Sequence, residues 1–141
     1  MGRPRQDGQE VKVAVDTNVL VRAAVRDDPE QTVVATRIMA RAEILVIAPS
    51  SLCEFAWVLR SVYGYRASRI AEAIRVLLAA ENVETNLPVI DAGLAMLDAG
   101  GDFADGVIAH EGRWLGAETF FSFDKKAVEM LKAQGVTART L

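Results

Sequence analysis

A chain of 141 residues suits one compact domain, on a prior of about one domain per 150 residues. Half of the residues are hydrophobic (51%) and the formal charge is only −3, which excludes global disorder and argues against a strongly basic protein that coats nucleic acid. The single cysteine, Cys53, and the single histidine, His110, exclude an internal disulfide, a cysteine zinc cluster and a His–Glu–His zinc site.

Residues 1–10, "MGRPRQDGQE", are rich in Gly, Pro and charge and read as a flexible leader before a domain over 11–141. They carry no apolar signal core. No later window approaches the roughly 18 uninterrupted apolar residues of a membrane span, so the reading is cytoplasmic. Alternation in "VKVAV" (11–15) predicts a strand, and "NVLVRAAVR" (18–26) changes to a helical period. Asp28 and Pro29 form a cap and first-turn pair for a helix whose apolar side is expected to be Val33, Val34 and Ile38. "EILVIAP" is a second strand. After Pro49, Leu52, Phe55, Ala56, Leu59 and Tyr63 form one helical stripe that Gly64 ends, with Cys53 expected in the core. Ile70, Ile74, Leu77 and Leu78 mark the next helix, and "NVETN" a short strand. Two helices follow, "PVIDAGLAMLDAGG" and "DFADGVIAHEGRWLG", then strand "ETFFSF" (118–123), helix "DKKAVEMLKAQG" and a last strand in "VTARTL". This alternation predicts an α/β fold: a single three-layer α/β/α domain with a central parallel sheet of four to five strands.

In open parallel sheets, ligands gather at the carboxyl ends of the strands. Five acids fall there: Asp16 after the first strand, Glu54 early in the helix after the second, Asp102 and Asp105 at the start of a late helix, and Asp124 after the last long strand. Each has an ordinary role to play at a helix start. Asp16, Asp102 and Asp124 suit caps, Asp105 suits a first turn, and Ser51-x-x-Glu54 suits a capping box.

Taken together they suggest more. On the helix at 102–115, Phe103, Ala104, Val107, Ile108, Trp114 and Leu115 share one side at about 100° per residue, and Asp102, Asp105, Gly106, Ala109 and Arg113 the other. That second face is acidic and small, which reads as room for an ion or substrate. Several carboxylates close together repel unless a cation lies among them, and oxygen ligands alone select Mg²⁺ or Mn²⁺. Sixteen Lys and Arg oppose nineteen Asp and Glu; without the five acids fourteen remain, so the rest of the chain is mildly basic. Arg22, Arg26, Arg60, Arg66, Arg69, Arg75 and Arg113 are candidate phosphate contacts.

These segments resemble PIN-domain ribonucleases, and among them the VapC-type toxins of toxin–antitoxin pairs. The resemblance rests on "VDTNVL" (15–20), "SSLCEFAWVL" (50–59), "DFADGVIAHEG" (102–112) and "FFSFDKKA" (120–127), in order across 11–141. It implies an acidic quartet of Asp16, Glu54, Asp105 and Asp124, with Asp102 as a further acid. In that reading Asp16 and Asp105 hold Mg²⁺ or Mn²⁺, with Glu54 and Asp124 direct or through water. Glu54 also helps to deprotonate the attacking water, and Thr17, Asn18 and Ser122 orient carboxylates. Ser122 stands where the family usually has threonine, and Gly106 where alanine is expected. Arg22 and Arg113 are the RNA contacts, and the implied partners are an RNA substrate, a cognate antitoxin and a second copy, Trp57 suiting a dimer interface.

Two other classes compete. A non-catalytic interaction module of the same fold needs no metal. A receiver or phosphatase-like α/β domain also clusters acids at strand ends, but Asn18 stands where a haloacid-dehalogenase-type enzyme has its second Asp, and "NVETN" lacks the Asp a receiver requires.

Overall fold

A computed structural model describes residues 11–141; the leader expected over 1–10 lies outside the described residues. In chain order the elements are β1 (Lys12–Ala14), α1 (Thr17–Val25), α2 (Pro29–Arg41), β2 (Ile44–Val46), α3 (Pro49–Ser61), α4 (Ala67–Leu78), β3 (Val83–Glu84), α5 (Leu87–Asp98), α6 (Phe103–Trp114), β4 (Phe120–Ser122), α7 (Lys125–Ala133) and β5 (Ala138–Thr140). Every strand pairing is parallel, as the alternation of strands and helices requires, and the fold is a three-layer α/β/α domain. The strands form two ladders, β1-β2-β3 and β4-β5. Among the described residues no helix is long and apolar enough to cross a membrane.

The helix starts follow from local chemistry. Asp16, Asp28, Asp102 and Asp124 each cap a helix by accepting a backbone N–H bond, and Pro29, Pro49 and Pro88 open helices where a missing N–H costs nothing. Gly64 and Gly100, at φ +70° and +86°, turn the chain after α3 and α5. Leu20, Leu45, Ile47, Leu52, Phe55 and Phe103 belong to the larger of two cores, and Met96, Val128, Leu131 and Ala138 to the smaller, beneath β4 and β5.

Three local expectations are overturned. In α2 the outward residues are Val33, Val34 and Ile38, 51%, 65% and 37% exposed, while Thr32 and Ala35 are buried. The α1–α2 pair packs closely, so its contact stripe uses small side chains, and the Thr32 hydroxyl donates to the Arg22 carbonyl at 3.0 Å. In α6, Ile108, Trp114 and Leu115 face solvent, and Gly106 and Ala109 are buried. The space at Gly106 is filled by α5: an added Cβ would fall on the Ala92 carbonyl oxygen, and one at Gly93 on the Phe103 ring. The small residues of α6 therefore let two helices touch and leave no room for a ligand. Lastly, α3 begins at Pro49, where the Ser51 amide donates to the Ala48 carbonyl at 3.0 Å, so no capping box joins Ser51 to Glu54.

Candidate active site

Asp16 follows β1 and, with ψ 173°, turns the chain into α1, its Oδ1 accepting from the Val19 amide at 3.2 Å. The next residue reaches across to another helix. Thr17 Oγ1 donates to Glu54 Oε2 at 2.9 Å, so the starts of α1 and α3 are tied through the carboxylate. Glu54 itself is exposed.

The remaining acids meet around one cavity that Arg60 of α3 also lines. Asp102 caps α6 by accepting from Ala104 N–H at 3.1 Å, and Asp105 stands half-buried in the first turn. Asp124 caps α7 by accepting from Ala127 N–H at 3.0 Å, and its own amide donates to Ser122 Oγ at 3.0 Å. Asp102, Asp105 and Asp124 line one cavity of about 130 Å³ together with Arg60 and Lys126, enough for a few waters. Burial pushes the Asp105 carboxyl above its ordinary value, and the charges of Asp102 and then Asp124 push it the same way. Burial and the charges of Glu111 and Asp102 push the half-buried Cys53 thiol up to about 11, which leaves it un-ionised.

Glu54 is thus tied to Thr17, the residue after Asp16, while Asp102, Asp105 and Asp124 share one cavity. Among the described residues no three Asp, Glu, His or Cys side chains approach closely enough to make a complete ligand set. The chemistry of the donors still fits a hard cation. They are oxygens only, one carboxyl is electrostatically penalised, and Mg²⁺ is usually held by one or two carboxylates with waters and a phosphate completing the shell.

The supporting residues divide. Thr17 donates to the Glu54 carboxylate, whereas Ser122 accepts from the Asp124 backbone amide and bonds no carboxylate among the described residues. Asn18 instead lines the groove between α1 and α2 with Val19, Val34 and Ile38. Arg22 bonds Asp27 at 2.9 Å and the Tyr63 hydroxyl at 3.3 Å. Arg113 shares the azimuth of Asp102 but lies eleven residues on, about 16 Å along a helix, where it lines a separate cleft with Thr119 and Thr137. Arg60 is one of the seven arginines that the sequence offers as phosphate contacts, and Lys126 is not among those candidates. Only its place in the first turn of α7, two residues beyond Asp124, hinted at it.

The PIN domain family model matches residues 13–132, which spans all four of the segments that carry these acids. No curated protein matches the sequence.

Proposed function

We infer that this chain, which belongs to the PIN domain family, is a metal-dependent endoribonuclease and the toxin of a toxin–antitoxin pair, acting in the cytoplasm. The observation that carries the reading is the convergence of Asp102, Asp105 and Asp124 on one cavity at the strand ends, with Asp105 destabilised as an anion. Mg²⁺ or Mn²⁺ held by Asp16 and Asp105, with Glu54, Asp124 and Asp102 direct or through water, would supply Lewis acidity to the scissile phosphate and lower the pKa of water.

The chain's own residues supply the rest. Glu54, oriented by Thr17, accepts the proton of the attacking water. Ser122 fixes the backbone at Asp124 through its bond to the Asp124 amide. Arg60 and Lys126 bring positive charge to the cavity wall and attract the phosphate that four or five carboxylates would otherwise repel. Arg22 and Arg113, farther along their helices, are in this reading contacts for flanking phosphates.

Exposed apolar side chains support protein partners. Val33 and Val34 on α2, and Leu87, Trp114 and Leu115 at the ends of α5 and α6, are more than half exposed. In this reading they serve an antitoxin and a second copy of the chain, and the antitoxin silences the site by placing a basic residue among the carboxylates. A complex in which the cleft stays open and RNA is still cut would sink that last point.

The rival reading, a non-catalytic interaction module, is favoured by one observation: Asp16, Asp102 and Asp124 are all engaged as helix caps. Cleavage of end-labelled cellular RNA by antitoxin-free protein with Mg²⁺ or Mn²⁺ separates the two. Fragments that vanish with EDTA and in Asp105→Asn establish the nuclease. No cleavage, with no Mn²⁺ binding by calorimetry, leaves the interaction module.

A further inference from the structure

Trp57 is 63% exposed on α3, three residues after Glu54 and three before Arg60. At about 100° per residue it stands at the middle of the outer arc of the helix, with Glu54 on one side and Arg60 on the other. Both flanks are fixed by contacts already described. Glu54 is bonded to Thr17 of α1, and Arg60 lines the cavity of Asp102, Asp105 and Asp124. The indole therefore projects from the arc between Glu54 and the side of α3 that lines the cavity of Asp102, Asp105 and Asp124.

Its exposed neighbours on that arc are Ser50, Glu54, Arg60 and Ser61, all polar, with the half-buried Cys53 one turn before it packed against the core. An interface between copies has an apolar centre depleted of charge, and this arc offers one aromatic ring among charges and hydroxyls. A ring that is isolated, large and flat suits a nucleobase, since stacking needs a single π face while nearby cations hold the phosphates. Arg60 forms no ion pair among the described residues, so its charge is available for that purpose.

We propose that Trp57 is a positioning residue for single-stranded RNA: it stacks on an unpaired base beside the scissile phosphate, while Arg60 holds the adjoining phosphate. The proposal rests on the ribonuclease reading for its place in catalysis, but its binding step can be measured without cleavage.

The test uses the full chain carrying Trp114→Phe, so that Trp57 is the only tryptophan. In chelator, a 2′-O-methyl oligoribonucleotide of about eight nucleotides, within the site size of single-strand binders, is titrated against its fluorescence. Quenching that saturates is expected. In cleavage of an unstructured RNA, Trp57→Ala should raise KM roughly tenfold or more with kcat changed less than about threefold, and Trp57→Tyr should restore most of the loss. Quenching without any cleavage by the parent protein upholds the stacking site while the nuclease reading falls. Cleavage with unchanged KM in Trp57→Ala overturns the stacking site and leaves the nuclease. A shift from dimer to monomer in Trp57→Ala by sedimentation velocity also overturns it, by assigning the indole to an interface between copies.

Discussion

The Thr17 hydroxyl and the Glu54 carboxylate, 37 positions apart in the chain, meet at 2.9 Å and join the first turn of α1 to α3. A carboxylate that must take a proton from water works only if it is held in one orientation, and Thr17 is its one side-chain anchor among the described residues. Thr17→Val keeps the shape and removes the donor. RNA cleavage should fall about 10–100-fold, the usual cost of losing a group that orients a ligand or base. Because the bond is exposed, melting temperature should barely change, and Thr17→Ser should recover activity. Full activity in Thr17→Val would detach Glu54 from catalysis.

Asp105 gives a prediction about pH. Its folded pKa lies above the unfolded value of about 3.9, first from burial and then from Asp102 and Asp124. The folded state therefore binds this proton more tightly than the unfolded one, and stability falls as pH rises through that window. Above the folded pKa the full penalty applies. Asp105→Asn stays neutral, so in chelator it should melt above the parent protein at pH 7, with the gap closing below about pH 4. Mg²⁺ should raise the melting temperature of the parent protein and leave the variant unmoved. A variant that melts below the parent at pH 7 without metal would show that the carboxylate is stabilised there.

Helix α2 is tested by an exchange of roles between apolar and polar positions. Thr32 is buried at 4% exposure and Val34 is exposed at 65%. Thr32→Val removes the bond to the Arg22 carbonyl and should cost about 0.5–1.5 kcal/mol, although it makes a buried site more apolar. Val34→Thr should stay within about 0.5 kcal/mol of the parent. Urea melts distinguish them, and the reverse ranking would return Val34 to the core.

That reversal marks where local pattern stops being informative. Every element is legible from caps, prolines, glycines and period, because Asp28 with Pro29, Asp102 and Asp124 act on their own helix starts. The direction a helix faces depends on how closely its neighbour approaches. Where α1 meets α2 and α5 meets α6, contact selects Ala35, Gly106 and Ala109, and the bulky side chains turn outward. In the sequence the five acids read as one set at the carboxyl ends of the strands. Which groups meet, Glu54 with Thr17 and Asp102 with Asp105 and Asp124 around one cavity, is set by tertiary packing that no single segment encodes.

Gly106 offers the most direct test of the α5–α6 contact. If its small size left room for a ligand, Gly106→Ala would be harmless and even favourable, since alanine is better than glycine in a helix interior by up to about 1 kcal/mol. The geometry predicts the opposite. The new methyl would meet the Ala92 carbonyl oxygen, a backbone atom held within α5, so relief requires the two helices to separate. Overpacking of this kind costs about 1–3 kcal/mol, which outweighs the gain in propensity. Separation would also displace Asp105, the preceding residue, away from Asp124. Gly106→Ala should therefore melt several degrees lower and lose RNA cleavage more than its residual stability accounts for. A variant that melts at or above the parent temperature with full activity would mean that α5 and α6 do not approach so closely.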